Sequence, residues 1–134
     1  RYYDTAKTGH SLTGLTLLQI LESRLDNVVF RLGFASSRSQ ARLLVAHGHF
    51  TVNGRRTDVP SMLLSEGDVV SVREGSGKLT YFKDLSAYTE KRNAPSWLNR
   101  DIKAMAGTLA RMPERAEIDG SLDEQLIVEY YSRR

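Results

Sequence analysis

The spacing of apolar residues in this chain changes period at Gly48, from helical to strand-like. Upstream, Leu25, Val28, Val29 and Leu32 fall at i, i+3, i+4 and i+7, one stripe of a helix. Gly33 suits the position just past its end, where a left-handed backbone costs glycine little. Ser36 or Ser37 caps a second helix, with Ala41, Leu44 and Val45 on its inner face and Gly48 as its stop. Downstream, Phe50 and Val52 alternate with Thr51 and Asn53. Asn53-Gly54 is the strongest short hairpin signal, because both residues tolerate the positive φ of a type I′ turn. The stretch therefore reads as two helices joined by a tight turn, a helix-turn-helix in outline, continued into a small sheet.

Charge in this stretch is lopsided. Arg24, Arg31, Arg38, Arg42, Arg55 and Arg56 face one acid, Asp26, with His47 and His49 nearby. Guanidinium is a planar, permanently charged fork that matches phosphate oxygens. Arg38 and Arg42, four apart, share the outer face of the capped helix, whose free N–H groups add to the same positive site. Arg55 and Arg56 carry the patch past the hairpin turn. Taken singly, each arginine reads equally well as a solvated surface residue; six in one compact unit with one acid favour a grip on RNA or DNA. Asp26 lies in the first turn of its helix, where the dipole favours an acid, and is placed to hold Arg24 or an arginine of the next helix.

Catalysis has little to work with. Ser36, Ser37 and Ser39 have no base partner, and neither GxxxxGK[ST] nor GxGxxG occurs. His47 and His49 have the H-x-H spacing of metal ligands, but His10 is the only other histidine and there is no cysteine, so no metal is expected. An imidazole stacking on a base or bonding a phosphate fits better, with a helix-end cap as the plainer role.

The remaining elements read as follows. Residues 1–10 are polar, with Tyr2 and Tyr3 as anchors; Thr13–Glu22 is a helix. Pro60 centres a turn, 62–64 is a short strand, and Val69–Arg73 is a strand with Val70 and Val72 on one face. After a break at 75–78, Leu79–Arg92 is an amphipathic helix with Phe82, Leu85 and Tyr88 on one side. Trp97, Leu98, Ile102 and Met105 form a second apolar cluster, and Gly107–Met112 is a short strand. Ser121 and Glu124 make a capping box for a helix through Ser132, with a strand as the alternative. The tyrosines, Tyr130 and Tyr131 included, read as core or interface anchors rather than a base-stacking platform.

The 134 residues are enough for one sound domain or two small ones. The net charge of +3 hides a polarity: cations dominate up to Arg56, while Glu114, Glu117, Asp119, Asp123, Glu124 and Glu129 make the end acidic. Disulfides and cysteine-ligated zinc are excluded within this chain. No apolar run approaches a membrane span, and no signal peptide is expected from this stretch. The chain starts on Arg1, which reads as a processed or trimmed end.

RLDNVVFRLGFASSRSQARLLVAHGHFTVNG, Arg24–Gly54, closely resembles the small RNA-binding module named after ribosomal small-subunit protein four (S-four). That module also occurs in pseudouridine synthases, some aminoacyl-tRNA synthetases and heat-shock RNA binders. The flanks decide: Leu21-Glu22-Ser23-Arg24, Pro95-Ser96-Trp97-Leu98, Met105-x-Gly107, Arg111-x-Pro113-x-Arg115, Glu124 to Glu129 and Tyr131-Ser132-Arg133 are similar to the S-four ribosomal protein family. The resemblance covers essentially the whole chain. It implies an α+β fold: a split, mainly helical domain (1–22 plus 96–134) with an inserted module (23–95) of two helices packed on a small, mostly antiparallel sheet. It implies a structural, non-enzymatic role in the small ribosomal subunit. It further implies binding to the 5′ domain of 16S-type rRNA early in assembly, contact with small-subunit protein five, an influence on decoding accuracy, and a cytoplasmic ribosome, with an organellar one as the alternative. No cofactor, membrane or small-molecule substrate is expected.

Arg24, Arg31, Ser37, Arg38, Arg42, His47, His49, Asn53 and Arg55 match the module pattern, with Arg56 beside them; Arg111 and Arg115 match basic positions of the other domain. RNA contact is carried over for these, with Asn53 alternatively only shaping the turn. The family's N-terminal extension, which sometimes carries a zinc knuckle, has no counterpart before Arg1. The competing reading is the guide module of an rRNA-modifying enzyme such as a pseudouridine synthase. It needs a catalytic domain, for which the residues after Arg73 are too few and show no catalytic carboxylate motif.

Overall fold

The computed structural model describes residues 13–76, 79–89, 94–114 and 117. Helices and one antiparallel sheet make an α+β fold. In chain order the elements are α1 (Thr13–Glu22), α2 (Leu25–Arg31), α3 (Arg38–Ala46), β1 (Phe50–Val52), β2 (Arg55–Thr57), β3 (Val69–Val72), α4 (Thr80–Thr89), β4 (Leu98–Asp101) and β5 (Ala106–Leu109). The expected helix at Tyr130, the Tyr2 and Tyr3 anchors and Arg115 lie outside the described residues, as does the Tyr88 side chain.

The α2–α3 unit is shaped by its glycines. Gly33 (φ +87) ends α2 in a Schellman motif: Gly33 N bonds Phe30 O at 2.9 Å, and Phe34 N bonds Val29 O at 3.1 Å. That return drops Phe34 into the core. At the start of α3, the Ser37 hydroxyl accepts from Gln40 N at 3.0 Å, so Ser37 is the cap. Gly48 (φ +78) ends α3 in the same manner, with Gly48 N to Val45 O at 2.8 Å and His49 N to Leu44 O at 3.3 Å.

The hairpin forms at the expected turn, with Asn53 at φ 52 and Gly54 at φ 82, and pairs Phe50 with Thr57 and Val52 with Arg55. The sheet is larger than the sequence suggests. Its order is β2-β1-β3-β5-β4, and every neighbouring pair is antiparallel. Residues 98–101, expected only as part of an apolar cluster, form a strand, and the strand expected at 107–112 runs over 106–109. The short strand expected at 62–64 is instead an irregular segment with a single bridge from Leu63 to Arg24; Leu25 N bonds Met62 O and Leu64 N bonds Ser23 O, both at 2.8 Å.

One core results. Phe50, Val52, Val70, Leu98 and Leu109 face α2, α3 and α4, burying Leu25, Val28, Val29, Leu32, Ala41, Val45, Phe82 and Leu85 between them. Trp97 belongs to this core rather than to a second cluster. Phe50 stacks at 6.4 Å on Phe34 and meets Phe82 edge-on at 6.0 Å. Gly107 is where α2 rests on the sheet: a Cβ there would run into the Leu32 side chain. Arg100 reaches across the same seam to donate to Leu32 O at 3.1 Å.

Candidate nucleic-acid interface

The arginines of the sequence motif fall into two groups. Those at the α1–α3 junction are held by acids and amides. Arg24, 7% exposed, makes a two-pronged pair with Asp26, 4% exposed, at 3.1 Å (Nε to Oδ1) and 2.9 Å (Nη2 to Oδ2). Arg31 makes another with the buried carboxylate of Glu22, at 3.0 and 2.7 Å, and its guanidinium lies 5.8 Å from the Trp97 ring centroid. Asn27 ties the system together: its Nδ2 donates to Glu22 Oε1 at 2.7 Å and its Oδ1 accepts from Arg38 Nε at 2.8 Å. Arg38 lies over the Phe30 ring at 4.6 Å. Burial, then the nearby charge of Arg31, pulls its pKa below the ordinary arginine value. Arg42 is different. Its side chain is 59% exposed and touches Asp26 only through Nε at 3.5 Å, leaving its outer edge toward solvent.

Asp26 thus holds both Arg24 and Arg42. Arg38 and Arg42 do not share one equally open face, since Arg38 is anchored on Asn27 and Phe30. Glu22 and Asn27 were not singled out from the sequence. The available signal was two polar residues beside the apolar stripe of a short helix, where an amide or carboxylate buries only with partners.

The second group lies around the hairpin. Arg55 and Arg56 are exposed on the edge strand β2. Asn53 is committed to the turn: its Nδ2 donates to Asp68 Oδ1 at 3.0 Å, and its Oδ1 accepts from Val69 N at 2.9 Å, which staples the hairpin tip to β3. His47 is exposed at the C-cap of α3. His49 is half-buried, its Nδ1 2.8 Å from Ser76 Oγ and its ring edge-on to Phe82 at 5.6 Å. Burial, then the charges of His47, Arg73 and Arg56, hold His49 below the usual histidine pKa. Arg73 also escaped the sequence reading; its Nε donates to Gly48 O at 3.0 Å.

Arg111 stands apart from both groups. It forks onto Glu117 at 2.7 and 2.6 Å, and Ser96 Oγ bonds the same carboxylate. Those bonds, Arg111 first and Ser96 next, hold Glu117 far below the carboxylate range, and Glu117 raises Arg111. Among the described residues no group of three histidine, cysteine or acidic side chains is arranged to hold a metal. No helix there is long and apolar enough to cross a membrane.

Comparison with known proteins agrees with this architecture. Residues 23–70 match the family model of the S4 domain. The chain is 56% identical to small ribosomal subunit protein uS4 of Herpetosiphon aurantiacus, over 99% of the chain and 64% of that protein. It is 52% identical to uS4A of Symbiobacterium thermophilum, over 99% and 64%. It is 50% identical to uS4 of Desulfitobacterium hafniense, over 98% and 63%. The chain therefore spans just under two thirds of the length of these relatives. It carries an S4 domain and is homologous, over nearly all of its own length, to the bacterial small ribosomal subunit protein uS4.

Proposed function

We propose that this chain is a structural, non-enzymatic component of the small ribosomal subunit that binds 16S-type rRNA. The observation that carries this reading is the near-complete alignment of the chain with uS4 proteins of several bacteria. The distribution of arginines supports it, with Arg42, Arg55 and Arg56 exposed on the α/β frame. The finer reading follows the same resemblance: contact with the rRNA 5′ domain early in assembly, contact with small-subunit protein five, an influence on decoding, and residence in a cytoplasmic ribosome.

In this reading Arg42, His47, Arg55 and Arg56 touch phosphates directly. Arg24, Arg31 and Arg38 act chiefly by fixing the surface from which the others project, and Ser37 and Asn53 by capping α3 and shaping the turn. His49, Arg111 and Arg115 are secondary contacts. The division into a split domain (1–22 plus 96–134) and an insertion (23–95) is part of the proposal. It is supported by Gln19 of α1, which donates to Pro113 O at 2.8 Å. In that arrangement the β4–β5 hairpin is the splice between the parts, since it pairs with β3 of the module.

Binding of this kind rests on phosphate contacts and reads shape rather than base sequence. Affinity for a small-subunit rRNA 5′-domain transcript, measured by filter binding, should fall steeply with salt. About six phosphate contacts give a log–log slope near −4 to −5. A flat salt response would overturn the proposal.

A further inference from the structure

Gly48 is crowded in an unusual way. Its positive φ is demanded by the end of α3, but the space where a side chain would stand is filled by an arginine. A Cβ on Gly48 would lie 2.5 Å from Arg56 Nη2 and 2.6 Å from Arg56 Nε. The carbonyl of the same glycine accepts from Arg73 Nε at 3.0 Å, and Arg73 N bonds His49 O at 2.7 Å. Two guanidinium groups thus converge on one glycine, with His47 as its chain neighbour. Among the described residues neither Arg56 nor Arg73 forms an ion pair with an acid. Arg73 and Arg56 both bear on His49, which lies between them, and disfavour its charged form.

Like charges gather without a counter-ion at a cost, which an anionic ligand relieves. The register says which surface they open on. Arg56 is opposite Thr51 and Thr51 is opposite Ser71. Side chains directly opposite share a face, so all three stand on the side away from Phe50, Val52 and Val70. That side is the face of the sheet turned away from the core residues Phe50, Val52 and Val70. The Thr51 and Ser71 hydroxyls are 2.8 Å apart. Whichever donates to the other, the acceptor keeps its own O–H for a further partner.

We propose that Arg56 and Arg73, meeting at Gly48 and continued by the Thr51–Ser71 hydroxyl pair, form a second phosphodiester-binding surface on the outer face of the sheet. It is separate from the surface of Arg42 on α3. It takes RNA backbone rather than base edges, because guanidinium forks suit phosphate oxygens and hydroxyls suit phosphate or ribose 2′-OH groups. This deepens the proposed rRNA-binding function and rests on it: the module grips backbone on both sides of the hairpin, with Arg73 as a contact that the sequence motif does not include.

The test is binding of the full chain to a small-subunit rRNA 5′-domain transcript across a salt series, with hydroxyl-radical footprinting. Wild type is compared with R42Q and with the double variant R56Q/R73Q, each checked for its thermal melt. At about 0.7–0.9 slope units per phosphate, the double variant should flatten the log–log slope by about 1.4–1.8. It should also lose a backbone protection distinct from the one lost in R42Q. If wild type shows a steep slope and the double variant keeps both slope and footprint, the second surface is overturned while the rRNA reading stands. A flat wild-type response overturns the reading beneath it. Should the double variant melt early, R56Q alone decides, with a slope change of about 0.7–0.9 expected and no change overturning the surface.

Discussion

The α2–α3 side and the hairpin side of this module use the same residue type for opposite ends. On the α2–α3 side Arg24 and Arg31 are neutralised in place by Asp26 and Glu22, and Arg38 is held by an amide and a phenyl ring. On the hairpin side Arg55, Arg56 and Arg73 meet no carboxylate within the described residues. A buried, fully bonded ion pair gives little field to solvent and fixes geometry; an unpaired surface guanidinium gives field and little structure. A count of arginines therefore overstates the binding surface and understates the frame. Arg42 belongs to both groups, tethered at Nε by Asp26 and open at its outer edge.

The comparison is broken most directly at Glu22. Its carboxylate, 2% exposed, receives both prongs of Arg31 and the amide of Asn27. E22A strands a half-buried guanidinium, and urea denaturation should show a loss of about 3–5 kcal/mol. A loss within 0.5 kcal/mol, the ordinary range for surface changes, would mean that the acid side is no frame at all. R38A comes next. It removes a charged hydrogen bond to Asn27 and a contact with Phe30, at a cost of about 2 kcal/mol by the same measurement. A double R38A/R42A variant is thus not a clean binding probe. N53A should cost about 1–2 kcal/mol, because Asp68 and Val69 N both lose their bond to the turn.

What was legible in the sequence was whatever local chemistry decides. The glycines at 33 and 48, the serine cap and the Asn53-Gly54 turn each satisfy a backbone demand within a few residues; the glycines and the turn stand where the spacing put them, and the cap, open between Ser36 and Ser37 in the sequence, is Ser37. The β4–β5 hairpin was half hidden. Along β4 the inward positions are Leu98 and Arg100, and along β5 they are Gly107 and Leu109, so alternation of apolar and polar residues is broken twice. Both breaks have a tertiary cause: Leu32 packs on Gly107 and leaves no room for a side chain, and Arg100 satisfies Leu32 O. The same limit applies to the interface. That six arginines cluster was plain from the string; which of them are spent on Glu22, Asp26 and Asn27 depends on how α1, α2 and α3 close on one another. Arg73 escaped because its role comes from a contact with Gly48 across the chain.

Two smaller effects sharpen the contrast. R42A should leave stability within about 0.5 kcal/mol, because the pair with Asp26 is long, exposed and screened, and Asp26 keeps Arg24. It should still flatten the salt dependence of rRNA binding by about 0.7–0.9 slope units. A stability loss like that of R38A would move Arg42 to the frame.

The smallest effect concerns His49, which reports on the hairpin side without any RNA. Burial and the neighbouring His47, Arg73 and Arg56 disfavour its charged form, so its folded pKa lies below that of the unfolded chain. Such a group contributes stability in full above about 6.5, the ordinary histidine value. That contribution is lost as pH falls from there through the folded value, where the unfolded state binds the extra proton. An NMR titration should place the His49 imidazole below about 6.5, and R56Q or R73Q should move it upward by relieving one repulsion. If His49 titrates at the ordinary value and ignores both substitutions, the two guanidinium groups do not gather at Gly48 in solution. The hairpin side would then lose the concentrated charge that sets it apart from the α2–α3 side.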